Sequence, residues 1–349
     1  MPEFITRFER SRGCLLAGAA GDALGAPVEF MGRDAILQRF GPGGIRDYAI
    51  AYGGIGRITD DTQMTLFTAE GCLRALVRSQ TESISHPPSM ILQAYLRWLH
   101  TQGAHGKRSV EADGWLMTHR ELFSRRAPGM TCLTALVEEG GEHNDSKGCG
   151  GIMRVAPCGI VHAGDPGQAF ELGCEATKLT HGHPTGYLAA GAFSAIIADL
   201  MTGKPLAGAI SLARVLLLEQ AGSAETIAAI DNAVSRAANG EPADRALPAL
   251  GEGWIAEETL AIALYCALRA ANLEEGIVMA VNITGDSDST GAVTGNLLGA
   301  IFGPAAIPER WLVALELQKV IQEVADDLAT MPQATGELAD AYHLKYPPN

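Results

Sequence analysis

The chain has 349 residues, of which 47% are hydrophobic and only 6% aromatic, and its formal net charge is −14. That apolar content supports a sizeable core, and abundant Ala and Gly with few aromatics favour closely packed helices over a β-sandwich. The acidity and the absence of any Lys/Arg-rich run exclude a nucleic-acid binder.

Helical periodicity runs along the whole chain, and strand-like alternation is nearly absent. The opening "MPEFITRFERSRGCLLAGAAGDALGAP" sets arginines before a short apolar run. Acids precede that run, and Asp22 interrupts the small-residue region a cleavage site needs, so a signal peptide is not expected. A helix is predicted over 10–24, with Gly18, Gly21 and Gly25 on one stripe. The segment "GPGGIRDYAIAYGGIGRITDD" follows, too long and glycine-dense for a plain turn, and reads as a functional loop. Helices are predicted next at 62–79, 88–101, 109–118 and 131–138. A second functional loop, "NDSKGCGGIMRVAP", leads to helices at 168–180, 185–202, 206–219 and 224–238. The stretch "AANGEPADRALPALGEGW" reads as a connection, and helices at 256–270, 273–282, 289–302 and 315–329 complete the chain. In "TGAVTGNLLGAIFGP", Gly291, Gly295, Gly299 and Gly303 recur every four residues and form a smooth stripe. This stripe and the one on the first helix suit two central helices packed against each other.

The expected fold is therefore all-α, a compact multi-helix domain spanning 1–349, since no repeat and no linker divides the chain. No apolar run reaches the roughly 18 residues of a membrane span. The seven cysteines are odd in number and form no CxxC pair, which suits reduced thiols in a cytoplasmic compartment.

Four constellations can carry chemistry. In "TDDTQMTLFTAEG", Thr59 is a good helix N-cap, and the helix dipole favours acids in the first turn. A cap explains one acid, not the adjacent pair Asp60 and Asp61. Two hard cations explain both. In "NITGDSDSTG", Asp286 and Asp288 are spaced to bind one metal or bridge two, with Ser289 and Thr290 adding hydroxyls. Four carboxylates without a His-Cys cluster favour Mg²⁺ or Mn²⁺ over zinc. In "SKGCGGIMR", Gly148, Gly150 and Gly151 can present amides to an anion beside Lys147, although the string matches neither a P-loop nor a Rossmann loop. In "THGHPTGY", His181 and His183 lack the partners of a zinc site and suit pocket lining or a helix-end cap. "DSDST" also fits the DxDxT string of haloacid-dehalogenase-type phosphohydrolases, but its position late in a helical chain is wrong for that fold.

Taken in order, "GAAGDALGAPVEF", "TDDTQMTLFTAEG", "KGCGGIMRVAP", "THGHPTGY" and "NITGDSDSTGAVTGNLLGAIFG" resemble the ADP-ribosylglycohydrolase family over residues 13–303. The resemblance implies an all-helical fold around two divalent cations, Mg²⁺ or Mn²⁺. It implies Thr59, Asp60 and Asp61 as one ligand set and Asp286, Asp288 and Ser289 as the other. Ser289 stands where the family often has Thr. Catalytic acid/base candidates are Glu29, Asp60 and Asp61. The cleft for ADP-ribose would be lined by Lys147, Gly148, Cys149, Gly150, Gly151, Met153 and His181. The expected substrate is an ADP-ribosylated protein, with arginine-linked ADP-ribose first and serine-linked or O-acetyl-ADP-ribose as alternatives. An immunity-type protein that binds an ADP-ribosylating toxin is a further reading. A structural protein with a dead site is disfavoured because all four aspartates are present.

Overall fold

The computed structural model describes residues 5–82, 85–107, 110–138, 144–333 and 336–348. In chain order the helices are α1 (Arg7–Gly25), α2 (Arg33–Phe40), α3 (Asp60–Glu82), α4 (Pro87–Thr101), α5 (Met130–Glu138), α6 (Ala156–Val161), α7 (Pro166–Lys178), α8 (Pro184–Leu200), α9 (Leu206–Leu218), α10 (Ala224–Ala238), α11 (Ala243–Leu250), α12 (Ala256–Arg269), α13 (Leu273–Val281), α14 (Ser287–Phe302), α15 (Glu309–Ala314), α16 (Gln318–Thr330) and α17 (Glu337–Lys345). Among the described residues the only bridges of β type are isolated, Ala51 with Gly54 and Gly148 with Ile255, so the fold is all-α. No helix in the described residues is long and apolar enough to cross a membrane. All seven cysteines are free thiols.

The centre is the pair α1 and α14. A Cβ added at Gly21 would stand 2.0 Å from the Gly291 carbonyl oxygen, and one at Gly295 would stand 2.1 Å from that of Ala17. One at Gly13 would meet the Gly299 oxygen, and one at Gly25 that of Ser287. The matched positions fall on α14 as they rise on α1, so the helices run antiparallel, backbone on backbone. The polar residue in this interface, Asn296, is satisfied by donating to the Cys14 carbonyl oxygen at 2.8 Å. The glycine stripes are thus packing features, and they set the end of α1 against the start of α14.

Several expectations differ from the structure, each for a local reason. Of the helix predicted at 109–118, Ser109 lies outside the described residues, and only a 3₁₀ turn, Leu116–Thr118, forms. Gly114 sits at φ 96, and the Asp113 side chain is drawn to Arg74. The helix predicted at 315–329 begins at Gln318, because Leu317 is left-handed (φ 55) and the Glu316 carboxylate turns away to bind Arg126. The "connection" contains α11, which buries Ala246, Leu247 and Leu250 despite Pro248. The loop at 41–58 holds no regular element and turns tightly at Tyr52 and Gly53, both at positive φ.

Candidate metal centre

Three helix ends converge. The antiparallel packing puts Glu29, just past the end of α1, beside Asp286 and Asp288 at the start of α14. The start of α3 is held to α1 by Asp22. This buried carboxylate accepts from the Thr59 amide (3.0 Å), the Thr59 hydroxyl (2.8 Å), the Thr62 amide (3.1 Å) and the Thr62 hydroxyl. Asp22 therefore caps α3 from another helix and satisfies its first free amides. Thr59 is fully buried in this contact and does not line the cleft. Its Oγ1 is 3.3 Å from Asp61 Oδ2.

One residue earlier, both polar atoms of the Ile58 peptide are clamped. Arg126 Nη1 accepts nothing and donates to the Ile58 carbonyl oxygen at 2.9 Å, and the Ile58 amide donates to Glu316 Oε2 at 3.3 Å. Arg126 and Glu316 pair with each other through two bonds, one at 3.0 Å, and Arg57 joins them. Farther along the same loop, the Gly129 amide donates to Asp60 Oδ2 at 3.1 Å.

A cleft of about 360 Å³ opens over these ends. Glu29, Asp60, Asp61, Asp286, Asp288 and Ser289 line one part of it, and Gly148, Cys149, Gly150, Met153 and His181 line another. Among the described residues, no lysine or arginine lines it. Five carboxylates, all buried, thus share a cleft without a cationic side chain. Asp61 Oδ1 and Glu29 Oε2 are buried oxygens with no hydrogen-bond partner among the described residues. Carboxylate oxygens of Glu29, Asp286 and Asp288 come within 4.8 Å of one another.

The electrostatic consequence is consistent across the cluster. Burial, reinforced by the charges of Asp286 and Asp60, lifts Glu29 to about 8. Burial lifts Asp60 to about 8 and Asp22 to about 6. Burial and neighbouring carboxylates push Asp61 and Asp288 well above the usual range. Buried acids of one sign, with orphaned carboxylate oxygens, fit hard divalent cations.

The glycine loop behaves differently from a simple anion cradle. Gly148, Gly150 and Gly151 are not in the left-handed region. Two of them are small because neighbours press in: a Cβ at Gly150 would stand 2.9 Å from Cys132 Sγ and 3.0 Å from His181 Cε1, and one at Gly151 would stand 2.2 Å from Thr177 Cγ2, whereas one at Gly148 would make only ordinary contacts, the nearest at 3.4 Å. The Gly148 and Cys149 amides are already committed, to Ser146 Oγ (3.3 Å) and to the Trp254 carbonyl oxygen (3.0 Å). Lys147 is drawn away from the cleft by Glu225 (2.7 Å) and Glu257 (2.5 Å), and Gly151 also lies outside the lining. Cys149 Sγ donates to Asp286 Oδ2 at 2.8 Å, and burial raises this thiol well above its usual range. His181 is buried and faces the cleft, whereas His183 caps α8, its Nδ1 accepting from the Thr185 amide at 3.1 Å.

Sequence reasoning missed Asp22, the Arg126–Glu316 clamp and the aromatic pair Phe30 and Trp254, stacked at 5.9 Å on the cleft rim. Asp22 had one available signal: it is the only charged residue in the apolar run from Gly13 to Gly25.

The family model described as ADP-ribosylglycohydrolase matches residues 4–337. An ADP-ribosyl-[dinitrogen reductase] glycohydrolase of Rhodospirillum rubrum is 27% identical, covering 90% of this chain and 93% of its own. An ADP-ribosylarginine hydrolase Tri1 of Serratia proteamaculans (strain 568) is 24% identical, covering 93% of this chain and 80% of its own. A solved structure titled "ADP-ribosylglycohydrolase-related protein complex" superposes with a TM-score of 0.65 at 27% identity, covering 95% of this chain and all of that one. The chain belongs to the ADP-ribosylglycohydrolase family and is an enzyme of the glycosidic-bond hydrolase type.

Proposed function

We propose that this protein removes ADP-ribose from modified arginine side chains of proteins, using two divalent cations, Mg²⁺ or Mn²⁺. The observation that carries the reading is the meeting of five uncompensated carboxylates from three helix ends in the cleft that also holds His181 and the glycine loop. The arginine linkage draws on the similarity to an ADP-ribosylarginine hydrolase and on the acidity of the cleft, which suits a cationic leaving side chain.

Asp60, Asp61, Asp286, Asp288 and Ser289 would hold the cations, with Glu29 beside them. Bound there, divalent cations would grip ribose hydroxyls and lower the pKa of water. The chain's own residues do the rest. The carboxylates stabilise the positive charge that develops at C1″ as its bond to the guanidinium nitrogen breaks. Glu29 Oε2, which has no partner in the fold, takes the proton of the water that adds to C1″, and the departing nitrogen gains one. Asp60 is less free for that task, because the Gly129 amide holds one of its oxygens.

The test is release of ADP-ribose from arginine-linked and serine-linked substrates, with Mg²⁺ or Mn²⁺ and then with EDTA. Metal-dependent release from the arginine substrate alone is expected. Release only from the serine substrate would overturn the linkage. No release from either, with tight binding of an ADP-ribosylating toxin, would replace the enzyme reading by the protective one.

A further inference from the structure

Arg154 ends the "GIMR" string and is fully buried, yet no ion pair to it is found among the described residues. Its guanidinium lies over the Tyr95 ring, 4.2 Å from the centroid. Nη1 approaches Met64 Sδ and Cys132 Sγ, each at 3.3 Å. Nη2 donates to the Ala176 carbonyl oxygen at 3.3 Å and to Thr180 Oγ1 at 2.6 Å. Thr180 Oγ1 is in turn 2.8 Å from His181 Nδ1.

The chemistry of these groups fixes the direction of the chain. Arginine has no acceptor, so Thr180 Oγ1 must accept from it. The single hydroxyl proton of Thr180 then has two acceptors, His181 Nδ1 at 2.8 Å and the Thr177 carbonyl oxygen at 3.4 Å. The shorter contact is the better hydrogen bond. A hydroxyl polarised by a guanidinium is also a stronger donor. An imidazole whose Nδ1 accepts carries its proton on Nε2. The ring packs on the glycine loop, where a Cβ at Gly148 would stand 3.4 Å from Nε2. Burial and the Arg154 charge both oppose a second proton, pushing His181 down to about 3.

We propose that Arg154 and Thr180 are positioning residues that hold His181 as a neutral imidazole protonated on Nε2, so that it donates one directed hydrogen bond to an oxygen of the ligand in the cleft. The ligand part rests on the reading of the cleft as an ADP-ribose site; the tautomer does not. A neutral donor has a specific value here. It recognises an oxygen without adding a cation that would pair with the neighbouring carboxylates.

Imidazole ¹⁵N shifts in the full chain test the tautomer at neutral pH, with the His181 signals assigned by their loss in His181→Gln. An unprotonated Nδ1 and a protonated Nε2 are expected. Thr180→Val, which keeps the buried shape, should mix the tautomers and weaken ADP-ribose binding roughly 3- to 10-fold, the value of one hydrogen bond. Thr180→Ser should restore both. A protonated Nδ1 in the wild type, or unchanged shifts and affinity in Thr180→Val, would overturn the proposal. The expected tautomer in a protein that does not bind ADP-ribose would overturn the functional reading and leave the relay standing.

Discussion

Helix α3 buries acids at two places and treats them in opposite ways. Glu70, midway along, is met by Arg97 at 3.0 Å and Arg74 at 3.4 Å, with Asp113 completing the network. Asp60 and Asp61, at its start, share their surroundings with three more carboxylates and, among the described residues, no cationic side chain. A buried charge is tolerated when paired and costly when alone. The first arrangement holds the fold together. The second works against it unless the carboxylates are protonated or positive charge arrives from outside the chain.

The largest separation of the two regions is in activity. Asp60→Asn and Asp288→Asn should each lower turnover by about 10²–10³, the scale of losing one preorganised electrostatic group. Glu70→Gln should leave turnover of the folded protein near wild type. Steady-state ADP-ribose release checks all three, and a fully active Asp288→Asn would break the contrast.

Stability should show the reverse order. Removing Glu70 by Glu70→Ala strands Arg97 and Arg74 and should cost about 3–5 kcal/mol. Asp60→Asn in metal-free protein removes one of several mutually repelling charges and should leave stability unchanged or raise it. Urea unfolding in EDTA measures both.

The pH dependence follows from the raised carboxylates. A group whose folded pKa lies above its unfolded value contributes stability that is complete below the unfolded value. That contribution is lost as the pH rises through the folded one. With Asp22 at about 6 and Glu29 and Asp60 at about 8, EDTA-treated protein should lose thermal stability as the pH rises above the ordinary carboxylate range of about 4, the Asp22 share being complete by about pH 6 and that of Glu29 and Asp60 by about pH 8. Added Mg²⁺ or Mn²⁺ should then raise Tm more at pH 8 than at pH 6. An equal rise at both would show that the raised carboxylates are not where the cation binds.

These regions also differ in how far they can be read from sequence. The α1–α14 pair is legible because its glycines recur at helical spacing. Asp60, Asp61, Asp286 and Asp288 are legible because each pair is too acidic to be only a cap. Asp22 is not, since one acid in an apolar run reads as an interruption until a second helix start is seen to lie on it. The Arg126–Glu316 pair is hidden more deeply, because its partners are 190 positions apart and their residue types are ordinary. The same contact explains the misplaced start of α16, where Glu316 leaves the helix for Arg126. Phosphate-loop reasoning about "SKGCGG" reads its glycines as conformational, when crowding by Cys132, His181 and Thr177 accounts for Gly150 and Gly151.

The smallest expected effect sharpens the contrast within the site. Arg126→Lys keeps a charge but loses the fork that grips both Glu316 and Ile58. It should weaken cation binding several-fold while changing Tm little, as read by Mn²⁺ titration beside thermal melts. A drop in Tm without a change in cation affinity would make the clamp purely architectural.

The central claim is that the five-carboxylate cleft is completed by divalent cations. Its most direct measurement is calorimetric titration of Mg²⁺ and Mn²⁺ into EDTA-stripped protein at pH 8, for the wild type and an Asp60→Asn/Asp288→Asn double variant. Saturable binding of two cations by the wild type and its loss in the double variant are expected. Absent binding in the wild type, or equal binding in the double variant, would contradict it.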